Sequence, residues 1–253
     1  MTAEPTPQPP IPDDEGLPRR SFLQIAGYTA FGWIAGATGL TLLESPLNKL
    51  FEPVNQKVEE LIFRPQKLIP EFPKSAIEPD QLIVNSFRGN PVIDLANFRL
   101  EVTGEVEKPL SLSLDAVRQL PYKSMVIRHV CVEGWAAIVE WGGVRLSDIL
   151  QMAQPKSGAR YVYFDSADGY FSSWDLASAT HPQTLLAYEK NGAPIPLENG
   201  APLRLASPLK LGYKQSKWVT RILVTNDFLR APQNQQLMRG YWEDFGYEWY
   251  AGL

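Results

Sequence analysis

The chain has little with which to build a metal or redox centre on its own. It carries one cysteine, Cys131, and two histidines, His129 and His181. One thiol excludes an intramolecular disulfide, a cysteine-rich zinc site and an iron–sulfur cluster held by protein alone. Basic blocks are missing too. The 24 Lys+Arg against 28 Asp+Glu leave a formal charge of −4, a poor basis for binding nucleic acid. Apolar residues make up 44% of the 253, ordinary for a globular protein and too few for a multi-span membrane protein. No G-x-G-x-x-G, Walker A, G-x-S-x-G or H-E-x-x-H pattern occurs. Any metal chemistry therefore works with a single thiol.

What the sequence does have begins with an address. Residues 1–18 hold six prolines and the acidic cluster Asp13, Asp14 and Glu15, a composition with too little apolar side chain to offset ordering entropy. This tail is expected to be disordered. Residues 19–43 follow: Arg19-Arg20-Ser21-Phe22-Leu23, then Ile25 to Leu43 without one charge. Paired arginines before a moderately apolar run have the layout of a bacterial twin-arginine export signal. A buried core helix is the bland alternative, and Gly27, Gly32, Gly36 and Gly39 make it a poor one. Ala35-Gly36-Ala37 offers a small-x-small cleavage site, yet the uncharged run is also about long enough to span a bilayer. Cleavage and retention as an anchor both stay open, with retention favoured. Because this route exports folded proteins, often around a cofactor, it favours a cofactor enzyme in the periplasm or on the outer membrane face.

Residues 44–80 form a connector, with Leu50, Val54, Val58, Leu61 and Ile62 near helical spacing and prolines 65, 70 and 73 ending the run. From 81 to 228 the texture changes to short apolar runs separated by turn residues. Strands are expected at Phe98–Gly104, Met125–Val132, Tyr161–Phe164, Leu203–Ala206 and Val219–Thr225. Short helices are expected at Leu114–Leu120 (stopped by Pro121), Ser147–Ala153 (with Ser147 as cap), Ser173–Ala179 and Thr184–Glu189. Short strands and helices without regular βαβ spacing indicate a mixed α+β domain. The aromatic stretch within 229–253 is expected to fold back as a cap, with a docking surface as the weaker alternative.

Two segments could carry chemistry. In Arg128-His129-Val130-Cys131-Val132-Glu133-Gly134-Trp135, a strand would turn His129, Cys131 and Glu133 to one face. A buried inert cysteine is the bland reading; a thiolate stabilised by a neighbouring cation, binding a soft metal or attacking an electrophile, is the sharp one. The second segment, Gly200 to Trp218, gathers Arg204, Lys210, Lys214 and Lys217 among glycine, proline and serine. Loop N–H groups with Arg and Lys suit a phosphate, though a solvated surface loop remains the alternative. His181, before Pro182, reads either as a satisfied structural residue or as a site residue.

Together these blocks resemble a known family. Cys131-Val132-Glu133-Gly134-Trp135, Trp141-Gly142-Gly143-Val144, Asn191-Gly192-Ala193-Pro194, Asn199 to Arg204 and Lys210 to Trp218 are similar to the sulfite oxidase family of molybdopterin enzymes. The likeness covers about residues 82–228. Cys-Val-Glu brings it nearest the exported bacterial branch that includes the periplasmic methionine-sulfoxide reductase catalytic subunit. The resemblance implies a sulfite-oxidase-type molybdopterin-binding domain, and a molybdenum bound by the cofactor's dithiolene and by one protein cysteine, Cys131. It implies that Glu133 stands near the metal, and that Arg204, Gln215, Ser216 and Lys217 meet the pterin phosphate. Asn85, Arg88, Gly89, Ser166, His181 and Asn199 would contact the pterin, with Ser166 in place of an expected threonine.

Departures are visible. No C-terminal dimerisation domain or haem domain is expected, and the Ser166–His181 segment is shorter than in the methionine-sulfoxide reductase, so the substrate, whether a sulfoxide, an oxoanion or another small molecule, does not carry over. The resemblance implies two-electron oxygen-atom transfer, with electrons exchanged through a cytochrome or membrane haem protein. The rival readings are a metal-free enzyme using Cys131 as nucleophile with His129 as base, and a non-catalytic binding module on the same fold.

Overall fold

The computed structural model describes residues 58, 64 and 67–252, all within the unit spanning 52–253. The twin-arginine segment, the uncharged run after it and most of the connector lie outside the described residues. Among those that are described, no helix is long and apolar enough to cross a membrane.

Two sheets, one mixed and one antiparallel, carry the domain. The first has the order β2–β1–β10–β5–β6, built from β1 (Leu100–Gly104), β2 (Leu110–Leu112), β5 (Tyr161–Ser166), β6 (Phe171–Asp175) and β10 (Val219–Thr225). β1 and β10 run parallel, Glu101 facing Arg221, and the other neighbours are antiparallel. In β1, Leu100 and Val102 are fully buried while Glu101 and Thr103 are only partly so, the alternation of a half-buried strand. The second sheet has the order β3–β4–β7–β8, from β3 (Tyr122–Val130), β4 (Ala136–Arg145), β7 (Leu185–Lys190) and β8 (Ala193–Pro194). β9 (Arg204–Ala206) also pairs with β7, setting Arg204 opposite Ala187. A small hairpin, β11 (Leu229–Arg230) with β12 (Leu237–Met238), stands apart.

Three short helices join the strands. Ser113 caps α1 (Leu114–Arg118) by accepting a bond from the Ala116 N–H, and Pro121 follows three residues later. α2 (Leu146–Ala153) buries Leu146, Ile149, Leu150 and Ala153, the i, i+3, i+4, i+7 stripe of an amphipathic helix. Its N-cap is Arg145 rather than Ser147, whose hydroxyl instead meets Asp148. α3 (Leu176–Ala179) is capped by Asp175, which accepts from the Ser178 N–H at 2.7 Å.

One expected helix is a strand and another begins as one. Of Ser173–Ala179, Ser173–Asp175 belongs to β6 and Leu176–Ala179 is helical as expected, whereas the expected helix at Thr184–Glu189 falls on β7. Leu185, Leu186, Ala187 and Tyr188 are all buried, so an unbroken apolar run fills a strand covered on both faces, where alternation gives no clue. The main core lies where β1, β5 and β10 meet α2, around Leu100, Ile149, Phe164 and Ile222. A second apolar cluster holds Met125, Ile127, Val139 and Trp141 of the other sheet. The arm at 67–80 runs along that sheet, the Phe72 N–H donating to Val126 O and the Glu78 N–H to Ile138 O, each at 2.9 Å.

Candidate active site

β3 ends at Val130, one residue before the thiol. The expected strand through Val132 instead breaks into a tight turn, with the Gly134 N–H on Cys131 O at 3.1 Å and the Cys131 N–H on Trp135 O at 2.9 Å. This turn puts Cys131, Val132, Glu133 and Trp135 on the wall of a cleft of about 370 Å³. Glu133 Oε2 gathers three donors: Asn85 Nδ2 at 2.8 Å, Trp135 Nε1 at 2.9 Å and Cys131 Sγ at 3.6 Å. The bonds from Trp135 and Asn85 hold the Glu133 carboxyl below the usual carboxylate range. Burial, with that carboxylate beside it, pushes the Cys131 thiol up. A thiol so placed ionises when a cation binds its sulfur.

The opposite chemistry comes from β9 and the loops flanking it. Arg204 is 4% exposed, lies 4.4 Å over the Trp141 ring, and donates only to the carbonyls of Leu205 and Asn199. Among the described residues no carboxylate pairs with it, and desolvation pulls its guanidinium down to about 9. Lys217 stands close enough that burial and then the Arg204 charge lower it to about 8; its Nζ donates to Asn85 O and, at 2.8 Å, to Glu198 O. Lys190 donates to Asn199 Oδ1 at 2.8 Å. A buried guanidinium and a neighbouring ammonium, neither in an ion pair among the described residues, form an anion site. The buried hydroxyls of Ser166 and Ser216 have no protein partner, and both flank Lys217 and Trp218: Ser166 faces Val219 in the β5–β10 register. Two glycines keep the cleft open. A Cβ on Gly200, at φ +117°, would stand 2.9 Å from Arg204 Cβ, and one on Gly212 would stand 2.9 Å from His129 Nε2. The donor set suits an anionic, phosphate-bearing group with a soft metal near one thiol.

Of the residues singled out from sequence, Asn85, Cys131, Glu133, Asn199, Arg204, Gln215, Ser216 and Lys217 line this cleft together. Four do not. Ser166 lies just behind Trp218, whose carbonyl accepts from the Ala167 N–H. Arg88 stacks over Phe87 at 4.8 Å beside Gly169 in the β5–β6 turn, and Gly89 sits next to it. His181 is buried elsewhere: its Nδ1 accepts from the Gln183 N–H at 3.1 Å and its Nε2 meets Lys67 O at 3.2 Å. Both ring nitrogens thus have protein partners, and His181 does not line the cleft. Two further roles change. Asn85 spends its side-chain amide on Glu133, and Gln215 Nε2 donates to Ser207 O and Lys210 O, bracing the loop.

The four cations of the 200–218 segment divide two and two. Arg204 and Lys217 face the cleft, whereas Lys210 and Lys214 point inward and hold the C-terminal segment. Lys210 Nζ donates to Tyr250 O at 2.7 Å and pairs with Asp175; Lys214 forms an ion pair with Glu243 in which neither side chain is exposed. His129, the base of the rival reading, also lines the cleft, as do residues to which the sequence assigned no site role, among them Tyr213, Trp218, Trp242 and Tyr247. Burial and the Arg204 charge push His129 down to about 3, which makes it a poor proton acceptor for the rival that uses it as base.

These features define a class, an oxidoreductase that binds a phosphate-bearing metal cofactor beside one cysteine. The comparisons are more specific. Residues 88–232 match the model of the oxidoreductase molybdopterin binding domain, more than half of the chain, and the chain belongs to that family. It is similar to the subunit YedZ1 of Azospira oryzae, 37% identical over 242 residues, covering 92% of this chain and 87% of that one. It is 33% identical over 148 residues to the protein-methionine-sulfoxide reductase catalytic subunit MsrP of Campylobacter jejuni, covering 52% of this chain and about half of the relative, 50%. Among solved structures it resembles the sulfane dehydrogenase SoxCD of Paracoccus pantotrophus, with a TM-score of 0.52 at 21% identity over 60% of this chain and 46% of that one, a likeness of fold. The protein is a molybdenum-dependent oxidoreductase with a sulfite-oxidase-type domain and the molybdenum cofactor.

Proposed function

We propose that this is an exported sulfoxide reductase in which Cys131 ligates molybdenum. The observation that carries the reading is one cleft holding both the only thiol and the buried Arg204, with the half-buried Lys217 beside it and neither in an ion pair among the described residues. Arg204 and Lys217 bind the cofactor's phosphate, and the hydroxyls of Ser216 and Ser166 complete the cradle with Asn199. Arg88 and Gly89 stand near the β5–β6 turn, where they contact the pterin's outer edge.

When bound, the molybdenum cofactor supplies two-electron oxygen-atom transfer. The net reaction converts a sulfoxide, two protons and two electrons into a thioether and water. The Glu133 carboxylate, beside Cys131 and fixed through Oε2 by Asn85 and Trp135, would tune the metal or relay a proton at the cleft mouth. Sulfoxide as the substrate rests on similarity to chains named methionine-sulfoxide reductase catalytic subunits. Electrons come from a separate cytochrome or membrane haem protein. Arg19-Arg20 and the uncharged run address the folded chain to the twin-arginine export machinery, with that run kept as an anchor at the outer face of the membrane.

Dye-linked reduction of sulfoxides by the purified holoenzyme tests the activity, and fractionation of wild type against Arg19→Lys/Arg20→Lys tests the address. The reading expects turnover with a sulfoxide, a membrane-bound periplasmic pool, and cytoplasmic retention of the double variant. Turnover of sulfite in place of any sulfoxide would overturn the substrate; equal distribution of both chains would overturn export.

A further inference from the structure

The C-terminal segment does more than cover the domain. Trp242 and Tyr247 line the cleft, although the family match ends at residue 232. They occupy its rim. The anion-binding end is buried, with Arg204 4% and Ser216 1% exposed, whereas Trp242 and Tyr247 are 38% and 39% exposed. Their rings lie 5.4 Å apart, and Tyr247 meets Tyr213 edge-on at 5.3 Å.

The mounting is rigid. The Lys214–Glu243 pair is fully buried, Tyr213 Oη donates to Glu248 O at 2.6 Å, the Tyr241 N–H donates to Phe171 O at 3.0 Å, and Lys210 holds Tyr250 O. Side chains held this way on buried polar anchors lose little further freedom when a ligand arrives. The remaining rim is apolar and acidic: Ile83, Val84 and Val132 are each about half exposed, and Glu133 and Asp168 supply carboxylates. Negative charge at the mouth repels an oxoanion, while aromatic faces attract an uncharged body.

We infer that Trp242 and Tyr247 form an apolar subsite that grips the non-reacting body of a neutral substrate and so determine specificity. The inference deepens the sulfoxide reading and rests on it for the choice of probe. Aromatic packing of this kind is worth about tenfold in affinity.

The test uses molybdenum-loaded full-length protein and two neutral probes, dimethyl sulfoxide and methyl phenyl sulfoxide, with turnover and equilibrium binding measured in parallel. Wild type is expected to favour methyl phenyl sulfoxide. Trp242→Ala and Tyr247→Ala are expected to raise its KM and Kd about tenfold and those of dimethyl sulfoxide far less, with Trp242→Phe recovering most of the loss. Melting temperature and molybdenum content keep a folding defect separate. Equal effects on both probes, or none, would overturn the subsite. If neither sulfoxide is turned over, the functional reading fails, and the binding constants alone then decide the subsite by the same comparison.

Discussion

On the proposed reading, cofactor retention turns on Arg204. Its guanidinium is desolvated without a carboxylate partner among the described residues, so a bound anion would supply the missing charge. Arg204→Ala is expected to cut molybdenum and pterin content per purified chain by about tenfold or more, the scale of a lost charge-assisted hydrogen bond. Arg204→Lys, lacking the planar fork, should recover only part. Unchanged content in the alanine variant would remove Arg204 from the site.

His181 makes a second prediction at this scale, concerning stability. Burial lowers its folded-state pKa below the unfolded value of about 6.5. Between those values the unfolded chain takes up a proton that the folded chain refuses, so the contribution is intact above about pH 6.5 and is lost as pH falls. Urea midpoints should decline below that pH more steeply for wild type than for His181→Gln. Identical slopes would show that His181 does not titrate differently in the two states.

Among the elements, the connection between the 210–218 loop and the C-terminal segment matters most. Lys214 and Glu243 are wholly buried, and burial pulls the lysine down and the carboxyl up, each against the other's opposing charge. Removing one partner leaves an uncompensated charge, so Lys214→Met is expected to cost about 3–5 kcal/mol. The double variant Lys214→Met/Glu243→Leu should recover much of that loss in chemical denaturation. Additive losses would show that the two residues do not act as a pair.

The same segment shows where sequence was legible. β10 was expected at the residues it occupies, because Val219–Thr225 is rich in β-branched residues. β7 was not, because burial on both faces erases alternation. β4 runs through Gly142 and Gly143, where its pairing with β7 shifts register, and it is not among the strands expected from sequence. Eight of the cleft residues followed from the family resemblance. The inward direction of Lys210 and Lys214 could not, since a cation facing a phosphate and one clamping a carbonyl are the same letter in a chain. Trp242 and Tyr247 were visible as aromatic density; that they reach the cleft depends on tertiary contacts alone.

Across the molecule, a net charge of −4 coexists with a cationic cleft floor and an acidic, apolar mouth. On the proposed reading a single cysteine is sufficient, because the cofactor brings its own sulfur ligands. The residues assigned to the site come from both sheets, from the loop before β1 and from the loops around β9, so the cleft exists only in the folded domain. The central claim is that Cys131 completes the metal's ligand set. Molybdenum K-edge X-ray absorption on wild-type and Cys131→Ser protein, each loaded with cofactor, tests it directly. The number of sulfur neighbours at molybdenum is expected to fall by one in the variant; an unchanged sulfur count, or wild-type protein devoid of molybdenum, would contradict the account.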